Sequence, residues 1–377
     1  MVEAIANDTI TLFLKMTRAD SPTALARRKR HIVEVVSRHY DLGSCRRTSR
    51  LTGGVLNEVY LAETSQGDFV IRVNRVRSSI FEIERLSSFL SYLGYRGIPV
   101  DELVPAADGQ VAAEMDGELF SVHRYIRGTV YTNPGELNGN QAANVMTFLA
   151  HYHSTAEGYC NHGDLAVRDG LLPVMYTENP DSLRERLKDL PKTEQVAESA
   201  VDHAIDWLAG FFASGAYREL NRTWIHGDFR SCNVAFDADR VSGLFDWDLL
   251  CNGPRIFDVV VASADLARTI AGPLSRDPDL WRRDFARHFG AYRKEARRLG
   301  TDITEPEVKS IPGFLIADTI LSGVLFALHL RRLPLKPCES ASQRRQRSDR
   351  LHTESISDLA AIDSLIASGR EMISAHP

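Results

Sequence analysis

The sequence is short of the residues that build a cross-linked or thiolate-metal fold. Its 377 residues include only five cysteines, Cys45, Cys160, Cys232, Cys251 and Cys338, scattered and odd in number. No CxxC pair occurs, so neither a disulfide framework nor a thiolate zinc site is expected, and a reducing, cytoplasmic setting is. Charge of one sign is lacking too. Lys and Arg number 45 against 50 Asp and Glu, a formal net charge of -5, which gives no broad field for nucleic acid or an anionic membrane. No internal repeat is visible. The opening MVEAIANDTI has an early Glu3 and no basic stretch, so no signal peptide is expected. Long apolar runs are almost missing. The exception is IPGFLIADTILSGVLFALHL at 311–330, followed by Arg331-Arg332. Pro312, Asp318 and Gly323 interrupt it and no second run accompanies it, so it reads as a buried helix rather than a membrane span.

What is present is an ordinary globular composition, 44% hydrophobic and 25% charged. The length suits two domains or one two-lobed enzyme. Residues 24–40 place Ile32, Val35 and Val36 at helical spacing, within a helical segment assigned to 1–46. From 47 to 127 the texture is strand-like. Runs are broken by Gly53-Gly54, by Ser65-Gln66-Gly67-Asp68 and by Asp116-Gly117, a two-residue hairpin signal. One helix is inserted at about 80–93, with Leu86, Phe89, Leu90 and Leu93 on one face. From 128 to 377 helical patterns fill 139–158, 181–189, 194–213, 277–299, 311–332 and 355–373, and strand patterns return only around 223–247. The polar, basic stretch 337–350 reads as an exposed loop. The fold class is therefore α+β: a small antiparallel β N-lobe with one helix, a connector, and a large, mainly helical C-lobe.

His-Gly-Asp occurs twice. After His162-Gly163-Asp164 no Asn follows in the loop, and Asp-Gly and Pro make a turn-rich connection. After His226-Gly227-Asp228 the company differs. Asn233 lies five residues past Asp228, and Phe245-Asp246-Trp247-Asp248 follows after a turn at Asp237-Ala238-Asp239. Phosphoryl transfer to a hydroxyl needs this set of groups. One carboxylate takes or orients the hydroxyl proton, and an amide oxygen with a second carboxylate holds Mg²⁺ against nucleotide phosphates. Cys232 inside this loop reads as a small half-buried side chain rather than a nucleophile.

HGDFRSCNV followed by FDWD resembles the catalytic and metal motifs of the aminoglycoside phosphotransferase, homoserine kinase and choline kinase group, which shares the two-lobed protein-kinase-like fold. The resemblance extends over roughly 25–335 in order and spacing. It implies Asp228 as catalytic base, Asn233 and Asp246 as Mg²⁺ ligands, and His226 and Arg230 as loop-shaping residues. Asp248 reads equally as a surface carboxylate or as a group beside metal or substrate, and Arg230 is also a candidate there. On the nucleotide side, Gly53 and Gly54 in LTGGVLNEVY resemble the group's short phosphate loop, without the full GxGxxG of protein kinases. Arg72 in FVIRV stands where protein kinases carry Lys, and a guanidinium can grip phosphate. Helical phase selects Glu82 over Glu84 as its partner. HRYIRG resembles the hinge, so backbone groups near Tyr125 and Ile126 are assigned to adenine. In LAHYH, His151 and His153 point to different helix faces, and His153 reads as a structural hydrogen-bonding residue.

The resemblance implies an ATP- and Mg²⁺-dependent phosphotransferase that acts on a hydroxyl of a small molecule: an aminoglycoside, a homoserine-like acceptor or an amino alcohol. The stretches at 30–46 and ERLSSFLSYLGYRGIPV look most like the homoserine-kinase-like branch. A kinase of Ser/Thr side chains in a peptide is the alternative, and an inactive nucleotide-binding pseudokinase a lesser one. Oligomeric state is not legible.

Overall fold

The computed structural model describes residues 22–51, 57–75, 77, 79–131, 136–159, 195–326 and 340–367. Helix α1 (Pro22–His39) leads into strands β1 (Cys45–Leu51), β2 (Glu58–Thr64) and β3 (Gly67–Asn74). Helix α2 (Ile80–Tyr95) follows, then β4 (Ala112–Met115) and β5 (Glu118–Arg124). These strands form one antiparallel sheet in the order β1-β2-β3-β5-β4. Alternation along β2 buries Tyr60 and Ala62 on one face. The Asp116-Gly117 hairpin forms as expected, with φ 54 and 75° at its two central residues, the signature of the turn that matches strand twist. Helix α1 is not a separate segment. Its Ile32, Val35 and Val36 share one core with Tyr60, Ile71, Val73, Phe120 and Val122 of the sheet. Arg28 pins it there, donating to Glu58 at 3.0 Å and to Glu118 at 2.7 Å.

Helix α2 starts at Ser79, whose side chain accepts from the Glu82 N–H. Its buried stripe of Leu86, Phe89, Leu90 and Leu93 joins the C-lobe core, while Ile83, with the partly buried Ile80 beside it, packs with Ala112 and Leu119 of the sheet. Phe89 lies 6.2 Å, centroid to centroid, from both Trp224 and Trp247. The helix expected as an N-lobe element is thus the apolar joint between the lobes.

The C-lobe holds α3 (Gly139–Glu157), α4 (Gln195–Ala213), α5 (Arg255–Ala271), α6 (Pro278–Arg298), α7 (Glu305–Asp318) and α8 (Ala341–Ala367). Around them run short strands: β6 (Thr129–Val130), β7 (Arg222–Ile225), β8 (Val234–Asp237), β9 (Arg240–Leu244) and β10 (Cys251–Pro254). They pair as β6-β8-β9 and β7-β10. Helix α6 shows a regular stripe, with Trp281, Phe285, His288, Phe289, Tyr292 and Ala296 buried.

Two expectations change. Helix α5 was not expected: Arg255, Asp258, Asp265 and Arg268 recur at helical spacing, but the nearly unbroken apolar run Val259–Ala264 masks that period, and Arg255 through Ala264 are all buried. The stretch 337–350 is not an exposed loop over its described part. From Ala341 it is helix α8, whose buried positions begin with the polar Arg344 and Ser348 before Leu359, Ile362 and Leu365 take over. Over its described part, to Phe326, the apolar run at 311–330 is a mostly buried helix, passing at Thr319–Leu325 into a π-helical stretch. No helix among the described residues is long and apolar enough to cross a membrane. The expected helix at 181–189 lies outside the described residues.

Candidate active site

Strand β7 delivers His226-Gly227-Asp228 to the cleft. Gly227 has φ 81°, and a Cβ there would run into the Leu249 carbonyl oxygen, so only glycine fits. Asp258, fully buried on α5, holds this loop from below. It accepts the His226 N–H at 2.7 Å and the Gly227 N–H at 2.9 Å. His153 adds a third contact to Asp258 at 3.3 Å, and the Tyr292 hydroxyl lies 2.9 Å from its Nδ1. Burial lowers the His153 pKa, against the pull of Asp258. The ring is therefore neutral, with Nε2–H toward the carboxylate and Nδ1 accepting from Tyr292. His153 is structural, as its sequence suggested.

His226 ties two segments together. Its Nδ1 lies 3.3 Å from the Asp228 N–H, and its Nε2 donates to the Phe245 carbonyl at 3.1 Å. The loop carrying Asp228 and the segment carrying Asp246 are thereby set in register.

Asp228 is gripped from both sides. Arg230 Nε donates to its Oδ1 at 2.8 Å, and Asn233 Nδ2 donates to its Oδ2 at 3.1 Å and to its carbonyl at 2.9 Å. Burial raises its pKa, Arg230 and His226 oppose the rise, and Asp246 adds to it. Arg230 sits among three carboxylates: Asp228, Asp318, with which it hydrogen-bonds through Nη2, and Asp265 at 3.9 Å. Asp265 also accepts from the Ser231 N–H at 2.8 Å and hydroxyl at 2.7 Å. Burial pushes the Cys232 thiol up to about 12, so it is no thiolate nucleophile.

Strands β8 and β9 place Asn233 beside the second motif, with the Phe245 N–H donating to the Asn233 carbonyl at 3.1 Å. Asp246 adopts left-handed backbone at φ 72° and ψ 61°, and a 3-10 turn follows over Trp247–Leu249. Arg72 Nη2 lies 3.1 Å from Asp246 Oδ1 and 2.6 Å from Asp248 Oδ1. Two carboxylates therefore converge on one cation. Burial pushes Asp248 up to about 6, with Arg72 opposing and Asp246 adding to the rise.

That donor set fits Mg²⁺. Two carboxylates and the Asn233 amide oxygen are hard ligands, and the guanidinium between the carboxylates shows that the site gathers positive charge. Among the described residues no three His, Cys, Asp or Glu side chains form a metal cage.

Asp228, Asn233, Asp246, Asp248, Arg230 and Arg72 are thus brought together. Glu82 is not part of the set: among the described residues, the carboxylates bonded to Arg72 are Asp246 and Asp248. Helical phase located the face of α2 correctly, but that face points into the C-lobe core. Tyr125 and Ile126 follow β5, with the Tyr125 N–H on the Asp68 carbonyl at 3.2 Å. Ile126 lies against Gly243 of β9, where any side chain would displace it. Gly53 and Gly54, and the second His-Gly-Asp at 162–164, lie outside the described residues. Sequence reasoning missed Asp258, Asp265 and Asp318. Asp258 and Asp265 lie seven residues apart on α5 and Asp318 interrupts the apolar run at 311–330; a carboxylate among apolar helical neighbours is the available signal.

The model of the phosphotransferase enzyme family matches residues 47–299. Homoserine kinase of Sinorhizobium fredii is 25% identical over 224 residues, covering 59% of this chain and 64% of that enzyme. Homoserine kinase of Brucella ovis is 25% identical over 232 residues, with 59% and 64% covered. The match spans less than two thirds of those relatives' length. Among solved structures, an amicoumacin kinase in complex with AMP-PNP and Ca²⁺ aligns with TM-score 0.63 at 16% identity, over 94% of this chain and 98% of that one. A microcompartment-associated aminopropanol kinase aligns with TM-score 0.64 at 17% identity, over 91% and 99%. At such identities the likeness establishes the shared fold, the two-lobed protein-kinase-like architecture.

Proposed function

The chain belongs to the phosphotransferase enzyme family, and on that premise we propose that it transfers the γ-phosphoryl group of ATP to a hydroxyl of a small molecule, with Mg²⁺ as its metal. One observation carries the reading. Asp228 is clamped by Arg230 and Asn233 directly beside the Asp246–Asp248 pair, which already gathers a cation. Asp228 takes the proton of the acceptor hydroxyl. The acceptor oxygen bonds to the γ-phosphorus, the bridging bond to the β-phosphate breaks, and ADP leaves. Asn233 and Asp246, with Asp248 beside them, would hold Mg²⁺, which would supply charge neutralisation for the phosphates. Arg72, the Gly53-Gly54 segment and the backbone near Tyr125 and Ile126 are assigned to phosphates and adenine.

The acceptor carries an amine. Around Arg230 the carboxylates of Asp228, Asp265 and Asp318 outnumber the one guanidinium. That excess favours an ammonium-bearing alcohol, a property common to homoserine, amino alcohols and aminoglycosides. The relatives and neighbours named homoserine kinase and aminopropanol kinase point the same way. The test is an ATP-consumption screen with homoserine, amino alcohols, aminoglycosides and a Ser-containing peptide, followed by mass spectrometry of each acceptor. A phosphate gain on an amine-bearing small molecule, dependent on Mg²⁺, is expected. A gain on the peptide alone would move the assignment to a peptide kinase. Nucleotide binding without turnover on any acceptor would make the chain a pseudokinase.

A further inference from the structure

Asn57 is a buried side chain that no role described so far uses; it is 3% exposed. Both ends of its amide are engaged. Oδ1 accepts the backbone N–H of Arg75 at 2.7 Å, and Nδ2 donates to Asp248 Oδ2 at 2.7 Å. The backbone donor fixes the amide orientation, so its N–H₂ end must face the carboxylate. Asn57 and Arg75 flank the open end of the β2–β3 hairpin, where Glu58 pairs with Val73. Asp248 lies on the turn that carries Asp246, across the cleft. Other groups from the N-lobe side grip the same turn. Arg77 donates to the Trp247 carbonyl at 2.8 Å, and Asp101 accepts from Trp247 Nε1 at 2.8 Å.

The division of labour on Asp248 is the informative point. One oxygen, Oδ2, is taken by Asn57, and the other, Oδ1, is left for a cation, here Arg72. We propose that Asn57 is a positioning residue of the nucleotide–metal site: by holding Asp248 Oδ2 it aims Oδ1 at the cation and locks the β2–β3 hairpin to the metal carboxylates. The proposal rests on the phosphotransferase reading. The residue type follows from the chemistry. Ala would leave a buried carboxylate oxygen and the Arg75 N–H unpaired. Asp would set one carboxylate against another. Groups that orient a metal ligand from behind typically change metal affinity by about 10–100-fold when removed.

The experiment is calorimetric titration of the full chain with a non-hydrolysable ATP analogue, with and without Mg²⁺. Parent, Asn57→Ala, Asn57→Asp, Asp248→Asn and the Asn57→Asp/Asp248→Asn exchange are compared, and thermal melts check that each is folded. Asn57→Ala should weaken binding about 10–100-fold with Mg²⁺ and far less without it. Asn57→Asp should be worse. In the exchange variant the two side chains trade places: the carboxylate then on the hairpin can accept from both the Arg75 N–H and the amide then on the turn. The exchange should therefore bind more tightly than the two single losses combined would give. Parental binding by Asn57→Ala, equal losses with and without Mg²⁺, or strict additivity in the exchange would overturn the positioning role. A parent chain that binds no Mg²⁺–nucleotide would overturn the phosphotransferase reading itself, a result distinct from those three.

Discussion

At Asp228 two influences oppose each other. Burial raises the pKa, and Arg230, donating at 2.8 Å, pulls it back. A base whose pKa is raised is protonated as pH falls through that raised value, so kcat/KM should fall on an acid limb above the ordinary carboxylate range. Arg230→Gln removes the largest opposing charge, and the limb should then move to still higher pH. A pH–rate profile of the two proteins checks this; a limb that stays put or moves down would contradict it. The convergence of Asp228, Asn233 and Asp246 was legible in the sequence because it follows from local spacing. Asp258, Asp265 and Asp318 were not, because each acts through a fold contact with a distant loop. Glu82 failed for the same reason in reverse. Its position on α2 was readable, but the partner of Arg72 is decided by where the C-lobe places Asp246 and Asp248.

Among the elements, those with a hydrophobic period could be anticipated, α3 and α6 for instance, as could the Asp116-Gly117 hairpin. Helix α5 was not anticipated, although Arg255, Asp258, Asp265 and Arg268 recur at helical spacing, because the apolar run Val259–Ala264 between them masks the period. Nor was the start of α8, where an Arg and a Ser occupy buried positions. Yet α5 is the element that shapes the catalytic loop, through Asp258. Asp258→Asn keeps the shape but turns one acceptor into a donor facing an N–H group. A buried donor left unpaired costs about 1–3 kcal/mol. The variant should fold, melt earlier and lose kcat. Parental kcat and melting temperature together would show that the loop does not depend on α5.

On the scale of the whole molecule, two lobes were legible from texture alone, but not how they join. The apolar stripe of α2 and the Asp246–Asp248 turn make that joint, and α1 shares the core of the N-lobe sheet. Burial also leaves a mark on global stability. His288, 2% exposed on α6, has its pKa lowered to about 4 by burial and by Arg287. The unfolded chain binds that proton near pH 6.5 and the folded chain does not, so this share of stability is lost as pH falls from about 6.5 toward 4. Asp248, raised to about 6, acts with the opposite sign, so the readout must be a difference. Between pH 7 and 5, parent should lose on the order of 2 kcal/mol more than His288→Gln in urea unfolding. Equal losses would mean that His288 titrates in the fold as it does in the unfolded chain.

The central claim is that the His-Gly-Asp at 226–228, and not the one at 162–164, carries the chemistry. The most direct test is turnover with saturating ATP, Mg²⁺ and the best acceptor from the panel, in parent, Asp228→Asn and Asp164→Asn. Asp228→Asn should still bind nucleotide and lose roughly 10²–10⁴-fold in kcat, while Asp164→Asn should run near the parental rate. Equal losses in both variants, or a loss at Asp164 alone, would contradict the account.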